Sequence, residues 1–137
     1  ILDPTLSSRA RYVAWFDRYV AHHYVHHIGV DHTRTVFLSG NDCYALRCAF
    51  LHEGREDITE QRAQQLLDSF QFVVAPPGLI IHCNLHGPRL QLQVNIFCRE
   101  FIEGVVQFQN DISADSKVVR RMSSLLRLYD VNGKVIE

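Results

Sequence analysis

The sequence contains little cysteine, lysine and proline, and it lacks the motifs that identify several common functions. Its four cysteines are scattered, with no C-x-x-C pair of the kind that holds zinc or exchanges thiols. It has no Gly-rich phosphate loop, no Gly-x-Ser-x-Gly elbow and no internal repeat. Its pattern therefore gives no support to a P-loop nucleotidase, a serine hydrolase or a repeat protein.

Long hydrophobic runs and a strong net charge are also missing. No segment is long and apolar enough to span a membrane, and no signal peptide is present, so we expect a cytoplasmic protein without membrane contact. The net charge of -1 provides no overall attraction to nucleic acid, so any RNA contact must be local. Arginine accounts for twelve of the 14 basic residues, which is compatible with phosphate contacts.

The length and the spacing of apolar residues predict the fold class. With 137 residues, of which 47% are hydrophobic, the chain can bury a core, so we expect one domain over residues 1–137. Apolar residues recur at three- and four-residue steps in five segments, which predicts a mainly α protein. The predicted helices span residues 4–28, 40–53, 58–70, 94–112 and 118–129. Alternating residues and Pro-Gly turns predict an antiparallel β hairpin or meander around residues 71–94, which makes the class α+β.

Residues 40–54 predict a short helix with clear ends. Ser39 or Asn41 can cap its start, and Gly54 suits the left-handed position that follows a helix. Most of the segment is apolar, so we expect it to lie inside the fold.

Arg47 and His52 interrupt this apolar segment. Burying a guanidinium costs several kcal/mol unless it is paired, so a partner or a ligand is expected. On a helix the two residues lie about 140° apart around the axis and about 7.5 Å apart along it. They are not a compact pair, but a two-fold dimer would place two arginines and two histidines around one cleft.

The pattern Arg47-x-x-x-x-His52, set in Leu-Arg-x-Ala-x-Leu-His-Glu-Gly, resembles the motif of HEPN domains, small helical proteins of higher eukaryotes and prokaryotes that bind nucleotides. This resemblance implies an up-and-down bundle, here of about five helices with the β segment as an insertion. It also implies a homodimer through the motif helix and RNA or a nucleotide as ligand. Many members are metal-independent endoribonucleases of toxin or phage-defence systems, which adds an antitoxin to the expected partners.

The same resemblance assigns roles to individual residues. His52 is expected to act as general acid or base, and Arg47 to stabilise charge in the transition state, without a metal or other cofactor. Asn41, Asp42 and Cys48 are the candidates for contacts to the substrate.

Two other interpretations of this helix remain open. HEPN domains usually have a polar residue after the arginine, often asparagine, whereas this chain has Cys48, and a thiol is a poor hydrogen-bonding substitute. A non-catalytic module that binds a nucleotide or a protein is therefore the second hypothesis. The motif residues also have ordinary structural roles, because Arg47 can lay its stem over the core and His52 can favour the negative end of the helix dipole.

A cluster of histidines suggests a third and more distant hypothesis, a metal-binding protein. On the predicted first helix, His22 with His26 and His23 with His27 are i, i+4 pairs that can each face one ion. No clustered Cys or Glu completes a ligand set. We therefore predict no metal site.

Overall fold

The computed structural model describes residue 3, residues 5–122 and residues 130–135. The chain divides into two compact units, residues 1–105 and residues 106–137. Among the described residues the order of elements is α1 Ser8–Tyr19, a 3₁₀ turn Ala21–Tyr24, β1 Val25–Ile28, β2 Thr33–Val36, α2 Gly40–Glu53, β3 Ser69–Val73, β4 Asn84–His86, β5 Arg89–Gln93, α3 Val94–Ile112 and α4 Ser116–Met122. The prediction of a five-helix up-and-down bundle is therefore wrong: the described residues form four helices and two small sheets, and the predicted helix over residues 58–70 is largely replaced by turns.

The predicted first helix is too long. Helix α1 starts after Ser7, whose hydroxyl accepts the N–H of Ala10 at 3.2 Å, but it ends at Tyr19. Val20 and Tyr24 keep the helical spacing in the sequence and are both fully buried. The backbone reaches that arrangement through a 3₁₀ turn, so the apolar spacing alone could not reveal the end of the helix.

Strand β1 lies where the end of the first helix was predicted, and it forms an antiparallel hairpin with β2. Val25 pairs with Val36 at its base and Ile28 with Thr33 near its tip. The turn between them has positive φ at Gly29 (77°), where glycine is unstrained.

Helix α2 matches the prediction at both ends. The Ser39 hydroxyl accepts the N–H of Asp42 at 3.0 Å, and Gly54 adopts the left-handed conformation with φ of 65°. The N–H of Gly54 then donates to the Phe50 carbonyl at 3.1 Å, which closes the last turn.

The predicted third helix, residues 58–70, is wrong. The Asp57 carboxylate, just before this segment, accepts the backbone N–H and the hydroxyl of Thr59, at 2.9 and 2.6 Å, in a local turn. Farther on, the N–H groups of Gln65 and Leu66 donate to Asp42 of α2. Because those donors are used in a tertiary contact, they are not available to a helix.

The second sheet has the strand order β3-β5-β4. Strands β4 and β5 form the antiparallel hairpin expected in this region, turning at Gly87 with φ of 60°. Strand β3 pairs in parallel with β5, and Phe70 lies opposite Leu90 at the centre of the pair. This parallel pair was not predicted. Phe70 and Leu90 are buried in the core of the first unit. Other core residues of this unit are Phe16, Tyr24, Leu38, Ile58 and Leu92.

Helix α3 matches its predicted span. Its apolar residues are not all buried, because Ile102 and Val105 are exposed. In the second unit, α4 begins after Asp115, whose carboxylate accepts the N–H of Lys117 at 2.9 Å. The remainder of the predicted last helix, residues 123–129, lies outside the described residues.

Candidate functional site

The motif residues Arg47 and His52 both lie on α2 with exposed side chains. The expectation of a buried guanidinium is therefore not met. Among the residues that the structure describes, neither side chain has a hydrogen bond or an ion pair with a carboxylate. Two cationic or ionisable groups on one helix are thus available to an anionic ligand.

Arg47 stands at the edge of an open groove of about 550 Å³ in the first unit. Eleven of the described residues, from α1, α2, β3 and α3, line this groove, and Arg47 is the only charged one among them. His52 is not part of the lining. The structure therefore associates Arg47, but not His52, with a concave surface.

Five of the eleven lining residues are aromatic, and the phenylalanines form a row along the wall of this groove. Phe50 and Phe72 meet edge to face with centroids 6.4 Å apart, and Phe72 meets Phe97 in the same way at 5.8 Å. Phe97 in turn packs against Phe101 at 4.7 Å. Phe50 is 57% exposed and Phe72 is 36% exposed, so the row is accessible from solvent. Such a wall offers π faces and apolar area to a ligand.

The polar atoms deeper in the groove are paired with each other. The Tyr12 hydroxyl lies 3.3 Å from Cys43 Sγ. Burial raises the pKa of the Cys43 thiol to about 12 and also raises the pKa of Tyr12. Both groups are therefore protonated at neutral pH, and neither is an activated nucleophile.

Asp42, one of the predicted substrate contacts, is fully buried. Its carboxylate accepts the N–H groups of Gln65 at 2.7 Å and Leu66 at 3.0 Å, and the Ser39 hydroxyl donates to it at 2.6 Å. These bonds join the first turn of α2 to the irregular segment before β3. In this structure the contacts of Asp42 are structural ones.

The other two predicted substrate contacts are partly buried. Asn41 Oδ1 accepts two hydrogen bonds from the Arg9 guanidinium, at 3.1 and 2.8 Å, and its amide donates to Gln65 at 3.2 Å. Cys48 is half-buried and is a free thiol. Neither residue lines the groove beside Arg47.

A buried polar cluster in the first unit was missed by the sequence analysis. The Tyr24 hydroxyl donates to Glu100 Oε2, and His82 Nε2 lies 3.2 Å from the same oxygen. His82 Nδ1 accepts the backbone N–H of Gln93 at 3.1 Å, so the ring hydrogen of neutral His82 is on Nε2. His23 Nδ1 lies 3.9 Å from the other oxygen of Glu100. Sequence spacing could not bring these groups together, since they come from three distant segments.

The predicted pairing of histidines for a metal depends on a helix that is absent. His22 and His23 lie in the 3₁₀ turn, whereas His26 and His27 lie on β1, so the i, i+4 pairs do not share a helix face. Across the described residues, no three His, Cys, Asp or Glu side chains are arranged to bind a metal ion. The structure thus gives no support to the metal-binding hypothesis.

Comparison with known proteins identifies no relative. No protein-family model matches the chain, and no curated protein or solved structure is significantly similar to it. In the described part of the chain, none of the helices has the length and apolar composition required to cross a bilayer. Functional inference therefore depends on the local geometry of α2 and the groove.

Proposed function

We propose that this protein acts on RNA and that Arg47 contacts a phosphate. The observation that supports this most directly is the exposed Arg47 guanidinium, which has no carboxylate partner among the described residues. A guanidinium is always charged, and its fork of donors fits phosphate oxygens. The resemblance of the Arg47-x-x-x-x-His52 helix to the HEPN motif supports the same ligand class. The bundle fold is not part of this proposal, but the helix that contains the motif is.

A homodimer is the second element of the proposal. Arg47 and His52 point about 140° apart on α2, so one copy does not direct both side chains at one phosphodiester. A two-fold pairing through α2 would place both residue types from two copies around one RNA strand. The four free cysteines suit a reducing cytoplasm, where an antitoxin is a further partner for such a dimer.

Metal-independent cleavage is the chemistry that this dimer would perform. The ribose 2′-hydroxyl attacks the phosphorus, the bond to the 5′ oxygen breaks, and the products have a 2′,3′-cyclic phosphate and a 5′-hydroxyl. One His52 would accept the 2′ proton, the other would protonate the leaving oxygen, and Arg47 would offset charge on the phosphoryl oxygens. Exposure of His52 in the last turn of α2 favours this role over a purely structural one.

RNA binding without cleavage is the alternative, and Cys48 favours it. A half-buried thiol cannot fix Arg47 or a substrate as an amide would. In that case the chain is a binding module, and Arg47 retains its contact with phosphate while His52 has no catalytic part.

One experiment separates these possibilities. Fluorescence anisotropy with labelled single-stranded RNA measures binding, and gel analysis of the same samples in excess EDTA measures cleavage. We expect Arg47→Ala to weaken binding by about tenfold, the loss of one charge-assisted contact. The matched control is Arg34→Ala, which removes an exposed arginine from β2, away from the groove lining, and should leave affinity unchanged.

The result with His52→Ala distinguishes enzyme from binding module. If the native protein cleaves RNA and His52→Ala binds but does not cleave, the proposed mechanism is supported. If the native protein binds RNA without cleaving it, the binding module is the correct function. Native protein that binds no RNA, or Arg47→Ala that binds as tightly as native protein, contradicts the proposal as a whole.

A further inference from the structure

The groove beside α2 is larger and more apolar than a phosphate contact requires. Its volume of about 550 Å³ lies in the range of small-molecule sites, which are mostly apolar with few polar groups. A phosphate gains nothing from the exposed rings of Phe50 and Phe72. The proposed phosphate contact therefore accounts for Arg47 but not for the apolar wall next to it.

The charge of the lining limits what the groove can hold. Tyr12 and Cys43 are directed at each other, so among the described lining residues Arg47 is the one with strong donors to offer. A ligand with several polar groups would lose their hydration without replacement, which is costly. A ligand with one anionic group and an apolar body matches both parts of the surface.

We propose that this groove binds a small amphipathic carboxylate, with its carboxylate on Arg47 and its apolar body along Phe50, Phe72 and Phe97. One guanidinium compensates one negative charge and binds both oxygens of a carboxylate through its fork. A phosphate monoester carries nearly two charges at neutral pH and would leave part of its charge without a partner. This binding goes beyond the action on RNA and does not depend on it.

The sole tryptophan of the chain provides the measurement. Trp15 lies 6.2 Å from the ring of Tyr12 and 5.9 Å from that of Phe101, and both rings line the groove. Trp15 fluorescence is followed while decanoate or the neutral 1-decanol is added below the concentration at which either aggregates. We expect saturable binding of both and a Kd for decanoate about tenfold lower, as one charge-assisted pair provides.

Variants locate the two parts of the ligand. Arg47→Ala should bind decanoate and 1-decanol equally, whereas Arg34→Ala should keep the native preference. Phe72→Ala should weaken binding of both ligands and keep the preference, and circular dichroism confirms that each variant is folded. Absence of saturable binding by native protein, equal affinity of native protein for the two ligands, or a preference that survives Arg47→Ala would each overturn the inference.

Discussion

The Tyr24 hydroxyl donates a hydrogen bond of 2.5 Å to the Glu100 carboxylate, across 76 positions of sequence. Tyr24 ends the 3₁₀ turn after α1, and Glu100 lies in the first half of α3. Both are buried, so the bond satisfies a charged acceptor away from water. It ties two distant segments of the first unit together.

Removing this hydroxyl should destabilise the protein. Tyr24→Phe leaves the Glu100 carboxylate without its best donor, so we expect the free energy of unfolding to fall by about 2 kcal/mol. Urea denaturation measures the change. The control is Tyr44→Phe, which removes a hydroxyl with no hydrogen-bond partner among the described residues and should change stability by less than about 0.5 kcal/mol. Equal effects of the two substitutions would show that the Tyr24 bond is unimportant.

The cluster should also make stability depend on pH. Burial lowers the pKa of His82 below its ordinary value, although Glu100 opposes this; Arg99 and His23 act in the same direction as burial. The unfolded chain therefore binds a proton at His82 more readily than the native chain does. The contribution of neutral His82 to the free energy of unfolding is complete above the ordinary histidine pKa of about 6.5. It is lost as the pH falls below that value.

Midpoints of urea denaturation, measured between pH 8 and pH 5, test whether the stability falls with pH as predicted. His82→Gln should lose less stability on acidification than native protein does, whereas His27→Gln, which alters an exposed histidine on β1, should follow the native curve. A steeper acid loss in His82→Gln than in native protein would contradict the assignment.

Asp42 should be more important to folding than any surface acid. Asp42→Ala removes the acceptor of three backbone N–H groups and of the Ser39 hydroxyl, so we expect a loss of about 3 kcal/mol in the free energy of unfolding. Asp31→Ala, an exposed residue of the β1–β2 turn, is the control and should cost under about 0.5 kcal/mol. A small effect of Asp42→Ala would mean that those N–H groups find water instead.

Gly104 marks a close contact within the first unit. A Cβ there would lie 2.8 Å from Val20 Cγ2 and 3.2 Å from the Tyr19 carbonyl oxygen. We expect Gly104→Ala to destabilise the protein by about 1–3 kcal/mol, although alanine is the better helix former. Thermal denaturation beside Gln107→Ala, an exposed position of α3, checks this. A stabilised Gly104→Ala would show that the backbone contact relaxes.

The elements that the sequence predicts well are those with strong local ends. Helix α2 has a capping serine and a terminal glycine, and both act as expected at Ser39 and Gly54. Helix α3 has an apolar period sustained over nearly twenty residues. In both cases the decisive information lies within the segment itself.

The errors have a common cause in tertiary contacts. The segment at residues 58–70 has a helical pattern, but Asp42 takes the N–H groups of Gln65 and Leu66. Residues 25–28 continue an apolar period, yet they pair with β2 once the backbone turns at Tyr24. A local sequence pattern cannot predict that a carboxylate or a strand from a distant segment will compete for the backbone groups of a helix.

The candidate site was predictable only in part. The helix that contains Arg47 and His52 was predicted from its capping residues, whereas the groove draws its wall from four separate elements. The sequence indicates that Phe72 and Phe97 are apolar, but not that they meet 5.8 Å apart on an accessible surface. Exposure of aromatic side chains is a property of packing and cannot be derived from their spacing.

The salt dependence of RNA binding tests the central claim most directly. For single-stranded RNA, each phosphate contact contributes about 0.7 to the slope of log K against log salt concentration. We predict that Arg47→Ala lowers the slope by about that amount per bound copy, while Arg34→Ala keeps the native slope. A slope and affinity unchanged by Arg47→Ala would show that Arg47 does not contact phosphate and would contradict the proposed function.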